Sequence, residues 1–206
     1  MKKTALLLML LSTSMAYADF DKGLACEKSK NYLCAVREFK VAADQGDVSA
    51  QFHLGAMYYN GLGVRQDYTE AIDWYRLAAN QGYARAQSNL GAMFETGRGV
   101  KQDYVEALKW YRLAVEQGHS TAQSNLGMMF ANGRGVRQDY GEAVKWYRLA
   151  ADQGYSKAQY NLGVIYSKGS GVQQDKKTAK LYFGKACDSG YQKGCNFYRK
   201  LNDADY

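Results

Sequence analysis

Four positions 36 residues apart carry side chains able to bind a ligand through hydrogen bonds: His53, Asn89, Asn125 and Asn161. Each asparagine offers an amide donor group and a carbonyl acceptor, the complement of a peptide backbone. A row of them could clamp an extended chain, or could instead satisfy groups on neighbouring helices. Three further sets sit around this row and change from one occurrence to the next. They are Phe52, Ser88, Ser124 and Tyr160; Ala56, Ala92, Met128 and Val164; and Tyr59, Glu95, Ala131 and Ser167. All face away from the Ala50, Leu54 and Tyr58 stripe at helical spacing. This mix of aromatic, small and aliphatic side chains suits a protein or peptide partner. A half-exposed surface without a ligand is the plainer alternative. His53 has no second ligand in reach for a metal, so no metal or cofactor is expected.

Catalytic patterns are missing. No G-x-S-x-G elbow, H-E-x-x-H pair or glycine-rich phosphate loop before Lys-Ser/Thr occurs. Gly61-Leu62-Gly63 and its equivalents mimic a dinucleotide loop only weakly, because they join helix to helix. No catalytic residue is therefore assigned. The four cysteines form two pairs, Cys26 with Cys34 and Cys187 with Cys195, each enclosing a short loop at one end of the chain. An even count at equal spacing suggests two local disulfides, each worth about 2.5 kcal/mol in the chain-entropy account. A zinc site is the alternative, but only His53 and His119 could assist and neither is near.

The elements that must position these residues are repeats. Leu54-Gly55, Trp74-Tyr75-Arg76 and Gln81-Gly82 return every 36 residues, the triplet decaying to Tyr182-Phe183-Gly184 in the last unit. A period of that length denotes a solenoid of two-helix units. Asn60-Gly61 ends the first helix with a left-handed glycine, and Gly63 turns the chain again. Asp67 with Glu70 opens the second helix as a capping-box-like pair, matched by Asp103 with Glu106 and Asp139 with Glu142. Asp175 keeps the cap while Thr178 replaces the glutamate. Gly55 and Ala71 mark the helix crossing. The Trp-Tyr-Arg triplets read as a buried aromatic cluster with the arginine over or beside its rings.

Composition agrees. The chain has 206 residues, 21 Gly and no Pro. All glycines except Gly23, Gly141, Gly184 and Gly194 fall in four columns of the repeat. Lys2 and Lys3, the apolar run Ala5 to Leu11 and Ala16-Tyr17-Ala18 form a signal peptide over residues 1–18. Its removal takes the formal net charge from +7 to +5. This mild excess and the lack of a clustered basic run argue against nucleic acid. No stable membrane insertion is expected of the remaining chain. The divisions are a capping helix pair at 19–46, repeats at 47–82, 83–118, 119–154 and 155–190, and a capping helix and tail at 191–206.

The pattern A-x-x-x-L-G-x-M-[YF]-x-x-G-x-G-V-x-Q-D-Y-x-E-A-x-x-W-Y-R-L-A-A-x-Q-G resembles the Sel-1-like repeat, a relative of the tetratricopeptide repeat. The resemblance implies an all-α fold, a right-handed α-solenoid superhelix of antiparallel helix pairs. It also implies that the first helices line a concave groove. The variable stripe would then be the partner-binding face: Phe52, His53, Tyr59, Ser88, Asn89, Glu95, Ser124, Asn125, Met128, Tyr160, Asn161 and Val164. The paired cysteines are similar to those of bacterial cysteine-rich members, although the three central units here have none. Some of those members are associated with penicillin binding or β-lactamase activity. A hydrolase of that type is thus an alternative, but S-x-x-K, S-D-N and K-T-G are absent and Lys177-Thr178-Ala179 only approaches the last. The reading is an exported, monomeric scaffold, periplasmic or secreted from a bacterium, with an envelope or host-interaction role. A structural adaptor without a discrete ligand is a third possibility.

Overall fold

The structure, a computed structural model, describes residues 20–204. The signal-peptide segment lies outside the described residues. Every regular element within them is helical. One compact unit, ending at Gln102, contains α1 (20–28), α2 (Tyr32–Asp44), α3 (Val48–Asn60), α4 (Tyr68–Asn80) and α5 (Ala84–Thr96). A second, beginning at Asp103, contains α6 (Tyr104–Glu116), α7 (Ser120–Asn132), α8 (Tyr140–Asp152), α9 (Ser156–Lys168), α10 (Lys176–Asp188) and α11 (Gln192–Asn202).

The short helices stop where their sequence tells them to. Gly61, Gly97, Gly133 and Gly169 close α3, α5, α7 and α9 in the left-handed region, with φ between 66° and 73°. Asp67 opens α4 by accepting from the Thr69 and Glu70 amides. The return arm of a capping box is absent, correcting the sequence expectation. The Asp67 amide donates instead to Tyr58 O, and the Asp139 and Asp175 amides donate likewise to Phe130 O and Tyr166 O. That bond ties each second helix to the end of the first. The glutamates are left to pair outward, Glu106 with Lys109 at 2.8 Å and Glu142 with Lys145. Thr178 Oγ1 donates to Asp175 Oδ2 at 2.6 Å, so the cap acquires a different partner where the glutamate is missing. His119 also has a structural place: its Nδ1 accepts the Ala122 amide at the start of α7.

The crossing glycines admit an aromatic ring. A Cβ on Gly55 would lie 2.8 Å from the Tyr75 ring, and one on Gly163 2.6 Å from the Phe183 ring. Tyr75, Tyr111, Tyr147 and Phe183 are accordingly buried. Their neighbours in the triplet are not. Consecutive helical residues point about 100° apart, so Trp74 is half-buried and Arg76 exposed beside Asp73. The expected three-residue cluster is corrected to a relay between units. Lys40, at the arginine position of the preceding unit, lies over the Trp74 ring at 4.8 Å, and Arg148 hydrogen-bonds Tyr182 of the following one.

A buried glutamine column, unread in the sequence, stitches units together. Gln51 Nε2 donates to Ala43 O on α2, and Gln51 Oε1 accepts from Gln81 at 2.8 Å. Gln123 and Gln153 repeat the side-chain bond at 2.8 Å. Where the donor position becomes Ser189, Gln159 Oε1 is left without a partner. The ends are stapled by disulfides. Cys26–Cys34 joins α1 to α2 with an S–S distance of 2.05 Å, and Cys187–Cys195 joins α10 to α11 at 2.00 Å. No free cysteine remains among the described residues.

Candidate functional site

The structure sorts the expected stripe into three groups. Phe52, Ser88, Glu95 and Ser124 are buried, which removes them from any exposed face. α3 packs on α2 and α4, and α9 on α8 and α10, so little of such a helix's circumference meets solvent. Phe52 lies among the rings of Tyr75, Tyr83 and His53, with Arg85 over its face at 4.8 Å. His53 and Tyr160 belong to aromatic clusters at the two ends. His53 packs 5.0 Å from Phe39, and Tyr160 contacts Phe183, Tyr191 and Phe197. Burial holds the His53 imidazole below its ordinary value, against the opposing pull of Glu27 at 3.2 Å. Tyr59, Asn89, Asn125, Met128, Asn161 and Val164 remain half-exposed.

The amide column has a structural partner. Asn89 hydrogen-bonds the buried Tyr75 hydroxyl. Burial pushes that hydroxyl from its ordinary 10.0 up to about 12, with the Asn89 bond opposing. The repeat records the same logic in its own variation. Where the tyrosine column holds Phe39 or Phe183, the amide column 14 residues later holds His53 or Phe197, and the rings pack at 5.0 and 5.1 Å. A hydroxyl goes with an amide, and its absence with a ring. Because the folded state raises the Tyr75 value, its contribution to stability is present below pH 10 and is lost as pH rises from 10 to 12. At full ionisation that loss is about 3 kcal/mol. Urea unfolding across this window is expected to be flatter for Tyr75→Phe than for the parent chain.

Two clefts gather five of these six half-exposed residues, and Asn125 lines neither. In the first unit, Ala56 and Tyr59 of α3 face Asn89 and Ala92 of α5 around about 430 Å³, with Asn60, Thr96 and Arg98 at the rim. In the second unit, Met128 and Ala131 of α7 face Asn161 and Val164 of α9 around about 280 Å³, with Asn132, Lys168 and Ser170 at the rim. Each second-cleft residue except Tyr140 is a first-cleft residue displaced by two repeats. The floors are identical, Tyr75 with Asn89 and Tyr147 with Asn161. The walls and rims differ. Sequence reasoning followed the helices and missed Asn60, Arg98, Asn132 and Lys168. The signal was the variability of the last helical position (Asn60, Thr96, Asn132, Lys168) and of the residue between two constant glycines (Leu62, Arg98, Arg134, Ser170).

Comparison with known families places this architecture. The Sel1 repeat matches residues 48–83, 84–119, 120–155 and 156–191. The chain belongs to the Sel1 repeat family. Among solved structures, this Sel1 chain is similar to a protective antigen present in uropathogenic Escherichia coli strains, which displays an SLR fold. The two share 38% identity at a TM-score of 0.82 over 92% of this chain, which spans 42% of the antigen. A Sel1 repeat protein from Oxalobacter formigenes shares 36% identity at a TM-score of 0.79, over 87% of this chain and 72% of that one. An immunity protein from Pseudomonas aeruginosa, 23% identical over 87% of this chain and 67% of its own, shares the fold at a TM-score of 0.61. No curated protein matches the chain. The Sel1 assignment accounts for the all-α repeat, and the cysteine pairs suit an oxidising, extracytoplasmic environment. Among the described residues no helix is long and apolar enough to cross a membrane.

Proposed function

We propose that this Sel1 chain is an exported scaffold that holds a protein or peptide partner against the half-exposed faces of α3, α5, α7 and α9. The observation carrying this reading is the contrast within the clefts. Their floors are the same two residues, as a shared fold requires. Their walls change from Ala56 and Ala92 to Met128 and Val164. Positions that the fold leaves half-exposed have acquired individual chemistry, as a recognition surface needs. The helices supporting them are fixed by caps and interlocked glutamines, so little ordering cost falls on binding. The two disulfides and the leader-like residues 1–18 support an envelope or host-interaction setting for a monomeric chain.

A photo-crosslinking amino acid placed at Ala56 or Met128, in cells that make the protein, is expected to yield discrete protein adducts. The same residue at Leu77 or Leu149, exposed on the second helices, is expected to yield none. Adducts confined to the second helices would overturn this assignment of the binding face.

A further inference from the structure

The two clefts agree in one respect that their shared floor does not explain. Each carries a single cation, and neither is lined by an acidic residue. The cation is not at the same position in both. In the first cleft it is Arg98, with Thr96 beside it. In the second the equivalent of Thr96 is Lys168, and the equivalent of Arg98 is Ser170. The charge has changed place while its number per cleft is unchanged. The helix end does not demand it, since α5 closes with Thr96 where α9 closes with Lys168.

These cations are also unpaired. Neither Arg98 nor Lys168 has a carboxylate within ion-pair distance among the described residues, and both are exposed. The second helices differ. Lys40 meets Asp44, Arg76 meets Asp73, Lys109 meets Glu106 and Lys145 meets Glu142, each within one helical turn. Arg98 is instead held by neutral groups. It donates to the Tyr59 hydroxyl, and its guanidinium stands 5.7 Å from the Tyr59 ring and 6.0 Å from the Tyr68 ring. These contacts orient the planar fork without cancelling its charge, and they leave most of its N–H donors unused. Asn60, whose Nδ2 is committed to Ala56 O, stands on the same rim with its carbonyl oxygen still able to accept.

We infer that the two clefts are carboxylate-accepting sites for an acidic peptide segment, with Arg98 and Lys168 supplying the charge in the first and second unit. A carboxylate meets a cation in each cleft, an oriented guanidinium in the first and the Lys168 ammonium in the second, and the flanking amides suit the peptide groups beside it. A free carboxylate has no donor for the Asn60 carbonyl oxygen, whereas a peptide N–H does, which is why the occupant is a peptide. This inference rests on the reading of the first-helix face as the binding face, and names the chemistry that face selects.

The test uses the protein as purified and a labelled peptide of alternating glutamate and alanine, with a glutamine counterpart, followed by fluorescence anisotropy. The glutamate peptide is expected to bind at least about tenfold more tightly than the glutamine one, and to weaken as salt is raised. Arg98→Gln with Lys168→Gln should remove that preference. Arg98→Lys with Lys168→Arg should keep it. Arg65→Gln, which removes an exposed charge outside both clefts, should leave it unchanged. Equal weakening by Arg65→Gln would reduce the effect to general charge and overturn the inference, as would equal binding of the two peptides or binding of neither. Adducts at Ala56 and Met128 that persist undiminished in the Arg98→Gln, Lys168→Gln chain would retain the binding face and discard the carboxylate sites. Adducts found only on the second helices would discard both.

Discussion

Gly63→Ala is expected to destabilise the first unit by about 2–5 kcal/mol, while Gly82→Ala costs about 1–2. Both glycines are left-handed, with φ of +71° and +88°. An L-residue therefore pays the same conformational penalty of about 1–2 kcal/mol at either site. Their surroundings separate them. A Cβ on Gly82 would meet nothing within 4 Å. One on Gly63 would sit 2.3 Å from Tyr32 O and 2.8 Å from the Leu33 amide nitrogen. Those are main-chain atoms at the start of α2, and no side-chain rotation relieves the overlap. The loop after α3 must lift away from α2. The position recurs, with Gly99 against Tyr68, Gly135 against Tyr104 and Gly171 against Tyr140. It is where the loop of one unit sits on the second helix of the unit before. Urea unfolding of the two variants measures the difference. Equal losses would mean that only the φ requirement operates at Gly63.

That contact marks the limit of what periodicity could reveal. The repeat located the helix ends, the aspartate caps and the left-handed Gly61 column, because each depends on residues within a few positions of one another. Gly63 reads in the sequence as a second turn residue. Its approach to Tyr32 links residues in different units, and a pattern within one unit does not contain it. The Trp-Tyr-Arg triplet failed for a related reason. Three successive residues cannot share one helix face, and Trp74 meets Lys40 of the previous unit rather than Arg76 of its own. The amide column was legible in principle. Phe39 with His53 and Phe183 with Phe197 already show that the asparagines follow the tyrosine hydroxyls, once positions 14 apart are compared across units. Asn89 is thus partly committed to the scaffold, and the cleft's distinctive chemistry falls to the rim at Arg98 and Lys168.

Phe52→Ala is expected to cost about 3–5 kcal/mol, although the sequence places Phe52 on the variable, outward-looking stripe. Its side chain is 7% exposed. The ring lies 5.7 Å from Tyr75 on α4 and 5.1 Å from Tyr83 before α5, and its other neighbours are His53 and the Arg85 guanidinium. Truncation would open a cavity where three helices meet, and the rings around it cannot close the gap without moving their own backbones. Tyr59→Ala offers the contrast. That ring is half-exposed at the cleft edge against Tyr68, so its loss should cost about 1 kcal/mol while freeing Arg98 from its hydroxyl partner. Amide hydrogen exchange separates the two outcomes. In Phe52→Ala, protection should fall across α3, α4 and α5 while α8 to α10 keep theirs. In Tyr59→Ala, both regions should remain close to the parent chain. A Phe52→Ala chain as stable as the parent would return that side chain to the surface. Otherwise, weakened partner binding in Phe52→Ala reports a cleft that has lost its support, and the contribution of the binding face has to be read from Tyr59, Arg98 and Lys168.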